Sequence, residues 1–273
     1  CGANYKMPKT CPSCGREYIK YTGIGTQQVE EQLKLVFPNV RCLRMDMDTT
    51  SGKTAHRDIL DAFTRREADV LIGTQMVAKG LDIPNVTLVG VVFADSTLFH
   101  SDFRSSERTF QLLTQVAGRA GRADKEGRVV IQTNAPGHRA IRLCTKHDYK
   151  TFYNLEIGDR LRTLFPPFAV FVRAQFACAD ENAAADAAER FANGVTKTIL
   201  TALKPANAEN ELVFALAGAA PIRRREGLFR YAVIIKLVRT ANTAAAINAI
   251  YAFSDGCADE CYRGIEVNPQ DML

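Results

Sequence analysis

The sequence predicts an α/β lobe built on a parallel sheet, with a cysteine knuckle before it and an α+β domain after it. Three observations carry that prediction. Between residues 21 and 145, short apolar runs alternate with amphipathic helical stretches. Pro166-Pro167 then breaks a helix, and the texture of the chain changes beyond it. Near the start, Cys11-Pro-Ser-Cys14-Gly places two sulfurs on one tight turn. A length of 273 residues suits two compact domains.

The elements follow in chain order. Residues 1–20 are polar and basic and suit a partial zinc-binding module. In the lobe, at 21–145, Val29, Leu33, Val36 and Phe37 recur at helical spacing until Pro38 stops the run. Arg41–Asp46 reads as a short strand, and 54–66 as a helix through Ile59, Leu60 and Phe63. Asp69–Thr74, Thr87–Ala94 and Arg128–Thr133 are apolar strands without alternation, as expected when both faces are covered. A helix at 105–117 separates the last two. Residues 146–168 form a linker helix that ends in Leu-Phe-Pro-Pro-Phe. The remainder, 169–273, opens with a strand starting near 168 and ending at 178. A helix follows at 181–204 with Ala188, Phe191, Val195, Ile199 and Ala202 on one face. Strands at 211–217 and 228–239, a helix at 242–254 and a strand at 264–267 complete a β-α-β-β-α-β order, which is the ferredoxin-like arrangement.

Composition narrows the function classes. Hydrophobic residues make up 47% and charged residues 24%, so a disordered chain is excluded. The net charge of +5 permits a polyanionic partner without requiring one. The longest apolar stretch, Val86–Ala94, is far short of a membrane span. No charged start followed by an apolar run marks a secretion signal, and the opening on Cys1 suggests a piece of a longer protein. The eight cysteines are therefore expected as reduced thiols. Cys42, Cys144 and Cys178 read as small buried side chains, and Cys257 and Cys261 as neighbours one helical turn apart. Cys11 and Cys14 form half of a tetrahedral zinc site, and Cys1-Gly looks like the end of a second knuckle. Three sulfurs leave the Zn2+ site incomplete in this chain.

Two segments carry chemistry. Gly73-Thr-Gln-Met-Val-Ala-Lys-Gly-Leu-Asp-Ile-Pro84 leaves the carboxyl end of a strand, where open α/β sheets place ligands. There Thr74, Lys79 and free amides can hold phosphates, Gly80 lets the backbone come close, and Asp82 can accept from a ribose hydroxyl. In Gln115-Val-Ala-Gly-Arg119-Ala-Gly-Arg122, two arginines three apart can both reach one anion. Each segment alone reads equally as a glycine-rich loop or a basic turn. Their order on one sheet is far more specific.

Together they resemble motifs V and VI of superfamily 2 helicases, which lie in the second RecA-like lobe. The run from Gly73 to Arg122 resembles the primosomal protein N′ (PriA) family of replication-restart helicases. The Cys-Pro-Ser-Cys knuckle, Gly23-Ile-Gly-Thr26, Arg44-Met-Asp46 and the Pro-Pro-Phe junction agree. The resemblance covers essentially the whole chain as that family's C-terminal portion, more weakly over the last hundred residues. It implies an ATP-driven 3′→5′ translocase at branched DNA, cytoplasmic and nucleoid-associated in bacteria. Its implied partners are branched and single-stranded DNA, single-strand DNA-binding protein and other primosome proteins, with no membrane. Arg122 becomes the arginine finger, with Arg119 and Gln115 also facing the ATP phosphates. Gly80 and Asp82 become nucleotide contacts, Thr74 and Lys79 DNA contacts, and Cys1, Cys11 and Cys14 zinc ligands.

The chain also departs from a complete motor. Ser51-Gly-Lys-Thr54 mimics the end of a phosphate loop, but Met47 stands where that loop needs its first glycine. No sequence suits the magnesium role. ATP and Mg2+ are therefore expected to be held mainly by a first lobe, and this chain alone is expected to be inactive as an ATPase. The alternative is a non-enzymatic DNA- or partner-binding module with an inactive lobe. For DNA, Arg223, Arg224, Arg225, Arg230, Lys236 and Arg239 crowd a stretch with Glu226 as its one acid. Phe99 and Phe103, with His100, are expected on a hairpin that touches the duplex.

Overall fold

A computed structural model describes residues 8, 10–11, 14–17, 25–46, 55–74, 86–118, 120, 127–203 and 211–270. The chain separates into two compact units. Of the described residues, one takes those up to His100 together with Arg104–Phe152, and the other takes Ser101–Phe103 and those from Tyr153 onward. The boundary therefore falls inside the helix read as a linker.

In the first unit, α1 (Thr26–Val36) leads to β1 (Cys42–Met45), α2 (Ala55–Thr64) and β2 (Val70–Gly73). β1 and β2 pair in parallel, Cys42 opposite Val70. Arg41 and Asp69 clamp their entrance. The Arg41 guanidinium donates to both Asp69 oxygens, the Arg41 amide donates to the same carboxylate, and the Asp69 amide returns a bond to the Arg41 carbonyl. Those bonds, the guanidinium's first, hold the Asp69 pKa down at about 2. β3 (Leu88–Val91), α3 (Asp95–Leu98), α4 (Ser105–Ala117), β4 (Arg128–Ile131) and α5 (Arg139–Cys144) follow, and α6 (Tyr149–Thr163) begins in this unit. β3 and β4 pair in parallel, Leu88 opposite Arg128. Leu98, Phe110, Leu113, Ile141, Leu143 and Phe152 form the core, with the Phe110 and Phe152 rings stacked at 4.2 Å.

Two expectations fail here. β3 and β4 were expected to be covered on both faces, but exposure alternates along them, leaving Leu88 60% and Val130 53% exposed. Val91 and Ile131 face the helices, whereas Leu88, Gly90 and Val130 fall on the opposite side of the pleat. In α1, Val29 and Leu33 are half-buried but Val36 and Phe37 are exposed. The helix ends before its last turn reaches the strands.

The second unit runs β5 (Ala169–Cys178), α7 (Glu181–Ala202), β6 (Leu212–Arg225), β7 (Leu228–Val238), α8 (Thr243–Asp255) and β8 (Tyr262–Val267). This is the element order read from the sequence. The strands lie in the order β6-β7-β5-β8, every neighbour antiparallel. Asp180 caps α7 by accepting the Ala183 amide at 2.8 Å. The apolar face of α7 (Ala184, Ala188, Phe191, Val195 and Ile199) packs on Val172, Ala174 and Phe176 of β5 and Val233, Ile235 and Leu237 of β7. Leu203, just past the helix, is buried where Ala202 was expected, because the chain turns out of the helix there and Ala202 points to solvent. Gly194 lets α8 come close, since a Cβ there would sit 2.4 Å from the Phe253 ring. β6 and β7 join through Glu226-Gly227, both left-handed at φ 53° and 83°. Two such residues in a two-residue loop suit the twist of a hairpin.

Candidate functional site

The two chemistry-bearing segments start from regular elements of the first unit. Thr74 follows the last residue of β2 directly, at the carboxyl end of the β1–β2 pair, and is exposed. Gln75–Ile83, with Lys79, Gly80 and Asp82, and also Pro84, lie outside the described residues. Gln115 is exposed near the end of α4, and Gly118 caps that helix by donating its amide to the Thr114 carbonyl at 3.1 Å. Beyond the cap, Arg119 and Arg122 lie outside the described residues, as does Ser51–Thr54. Both segments thus leave regular elements of this unit, β2 at its carboxyl end and α4 at its C-terminus. Pairing of β2 with β1 and burial of Phe110 and Leu113 on α4 hold those departure points.

A residue missed by sequence reasoning organises the carboxyl end of the β3–β4 pair. Asp95 opens α3 just after β3 and is 4% exposed. It accepts from Thr133 Oγ1 at 2.8 Å, from the Asn134 amide at 2.8 Å and from Asn134 Nδ2 at 3.2 Å. Burial pulls its pKa upward, and the Asn134 and Thr133 donors outweigh that and bring it below the usual carboxylate range. The carboxylate therefore ties the loop after β3 to the loop after β4. Phe93, two residues earlier, holds a left-handed φ of 59°, an uncommon conformation for a bulky side chain. The signal was present only as a pair of polar groups far apart in sequence.

The aromatic segment between the two motifs does not form the expected hairpin. It makes the short helix α3 and a turn, because Leu98 turns inward and Ser105 Oγ fastens the turn to the His100 carbonyl. Phe99 is 65% exposed. Phe103 is half-buried in the second unit, stacked on Phe165 at 4.9 Å and near Phe171 at 6.3 Å, with the Arg160 guanidinium 5.1 Å from its ring center. Phe103 thus packs among aromatic side chains of the second unit rather than standing on a hairpin.

The basic stretch is also reshaped. Lys236 is 8% exposed, not a surface cation. Its ammonium donates to the Thr163 carbonyl at 2.9 Å and sits 4.7 Å from the Phe165 ring center, 5.5 Å from Phe171 and 5.7 Å from Phe214. Burial lowers its pKa. β7 alternates faces, and position 236 falls under the turn that follows α6. Arg223 pairs with Glu181 at the start of α7, and Arg225 with its neighbour Glu226 at 3.2 Å. Arg224 lies over the Phe229 ring at 4.9 Å. Arg230 lines a cavity of about 50 Å³ with Arg173, Gln175 and Arg263 on the sheet face away from the helices. Arg239 is exposed.

At the knuckle, the Gly15 amide donates to the Cys11 carbonyl at 2.8 Å and the Cys11 amide to the Arg16 carbonyl at 2.9 Å. Gly15 takes a φ of 69°, which only glycine adopts without strain. Cys11 and Cys14 thus share one turn, as a zinc half-site requires, while Cys1 lies outside the described residues. Among the described residues, no three ligands gather into a complete metal site. Cys257 and Cys261 do not share a helical turn, since α8 ends at Asp255 with Gly256 as its cap. No helix among the described residues is long and apolar enough to cross a membrane.

Comparison with known proteins places the chain among helicase-related sequences. Residues 18–124 match the helicase conserved C-terminal domain. The chain is 45% identical over 250 residues to the replication restart protein PriA of Bacillus subtilis, covering 92% of this chain and 30% of that protein. It is 50% identical over 166 residues to PriA of Synechocystis, covering 61% of this chain and 20% of the relative. With PriA of Haemophilus influenzae the identity is 45% over 168 residues, covering 62% and 23%. The chain spans less than a third of the length of these relatives.

Proposed function

Because the chain belongs to the PriA family of replication restart proteins and matches its C-terminal portion, we propose that it is the second motor lobe and C-terminal domain of an ATP-dependent 3′→5′ DNA helicase. In this reading it acts in the bacterial cytoplasm, at the nucleoid, on branched and single-stranded DNA. Single-strand DNA-binding protein and other primosome proteins are its partners.

The observation that carries the reading is the placement of the two motif segments. One leaves the carboxyl end of β2 at Thr74, and the other leaves the C-terminus of α4 after Gln115 and Gly118. Gln115, Arg119 and Arg122 face a triphosphate gripped by another lobe, whose Mg2+ neutralises phosphate charge when bound. The guanidiniums stabilise the charge that develops on the transferred phosphoryl group. Asp82 and Gly80 bind the nucleotide, and Thr74 and Lys79 hold the DNA backbone. Asp95 keeps the β3 and β4 loops in step. Phe99, Arg223, Arg224, Arg225 and Arg230 meet DNA. Cys11 and Cys14 provide half of a structural zinc site, with Cys1 as a further ligand.

The test is Arg122→Ala in the full-length protein. DNA-stimulated ATP hydrolysis is expected to fall by about 10³-fold or more, with nucleotide binding nearly unchanged. Turnover at the wild-type rate would remove the motor reading. Full-strength hydrolysis by this chain alone would remove the need for a second lobe.

A further inference from the structure

We propose that Cys178 and Cys261 are a peroxide-responsive thiol pair that closes a reversible disulfide between the end of β5 and the start of β8. The two residues come from neighbouring strands. Phe176 pairs with Tyr262, and the Ala177 amide donates to the Cys261 carbonyl at 2.7 Å. Cys261 is buried in the core under α7 and α8, and half-buried Cys178 packs against that same core. Both are free thiols, and each perturbs the acidity of the other. The pair lies in the second unit and uses none of the motif residues, so this inference does not rest on the motor reading.

The surroundings of the two sulfurs differ in a useful direction. Cys178 sits immediately before the capped start of α7, and the Cys261 side chain, then the Asp180 and Ala179 amides, hold its pKa below the usual thiol value. The Asp180 carboxylate opposes that shift. Burial, then the contact with Cys178, pushes the Cys261 thiol up to about 12. Asp259, which also raises it, is held by Arg190 at 2.7 Å and accepts the Cys261 amide at 2.9 Å. A half-buried sulfur with a lowered pKa thus neighbours one whose pKa is raised.

The chemistry balances with hydrogen peroxide as oxidant. The Cys178 thiolate attacks one peroxide oxygen, the O–O bond breaks, and the departing hydroxide takes a proton to become water. This leaves a sulfenic acid at Cys178. The Cys261 sulfur, losing its proton, attacks that sulfur, the S–O bond breaks and a second water leaves. The two thiols surrender two electrons, and one peroxide becomes two waters. A dithiol reductant reverses the bond. Because β8 is the edge strand beside β5, the link fastens the sheet's outer strand.

The fully reduced protein, exposed to hydrogen peroxide and digested without reductant, is read by peptide mass. A linked pair carrying Cys178 and Cys261, lighter by two hydrogens and released by dithiothreitol, is expected. In Cys261→Ser, dimedone is expected to label Cys178, and in Cys178→Ser it leaves Cys261 unlabelled. Should Cys261→Ser fail to fold, the wild-type map still decides. Recovery of both thiols free after exposure to excess hydrogen peroxide would overturn the proposal, as would a link from Cys261 to Cys257.

Discussion

The two units hold themselves together in contrasting ways. The first is built on four strands of four residues each, paired two by two among the described residues, with exposed apolar positions at Leu88 and Val130. The second has one sheet with strands of 10, 14 and 11 residues, and a core in which Val172, Ala174, Val195, Ile199, Val233, Ile235 and Ile250 are sealed from water. Stability in the second unit comes from burial. In the first, much of the organisation rests on point attachments such as Arg41–Asp69 and Asp95–Asn134. A unit held at points leaves its loops free to carry chemistry, whereas a unit held by its core can present a fixed surface.

The sharpest way to break that comparison is to truncate an apolar side chain from the second unit's core and another from the first unit's open strand face. Phe191→Ala removes a ring packed on Phe176, Phe253 and Tyr262 and is expected to cost about 3–5 kcal/mol, measured by denaturant unfolding. Leu88→Ala, on the uncovered face of β3, is expected to stay within about 0.5 kcal/mol. Equal losses would dissolve the distinction. Next comes Asp95→Ala, which strands the Thr133 hydroxyl and the Asn134 amide and is expected to cost about 2 kcal/mol. Hydrogen exchange at Asn134 is expected to quicken while β5–β8 amides stay protected. Gly194→Ala forces a methyl group into the Phe253 ring and is expected to cost about 1–3 kcal/mol, read as a lowered melting temperature.

The smallest effect is a pH dependence. The folded pKa of Asp69, about 2, lies below its ordinary value of 3.8. The Arg41 clamp therefore contributes fully above the ordinary value and is lost as pH falls through about 2. Asp69→Asn is expected to flatten the first unit's acid titration in that window, followed by circular dichroism. Both partners are well exposed, so the change is slight.

Regular elements were legible wherever local pattern and packing agreed. The helix at 105–117 was readable because Phe110 and Leu113 repeat at the spacing that its neighbours bury. β6 continues to Arg225, well beyond the strand read to 217. Gly218, Pro221 and the arginine run mask its pattern, and the register shifts between Ala219 and Arg224. Lys236 looked like one more surface cation, because no sequence pattern announces three phenylalanines converging on an ammonium. Asp95 escaped notice because its partners enter from a different strand. The motif residues were legible as chemistry, yet their roles depend on a ligand that no local pattern specifies.

The left-handed pair Glu226-Gly227 has a consequence for whatever meets the β6–β7 ribbon. Arg224 pairs with Phe229 and Arg225 with Leu228, so these successive residues point to opposite sides of the ribbon. A flat slab of negative charge would engage only part of this set. Only a curved, negatively charged surface that wraps the ribbon engages it from both flanks at once.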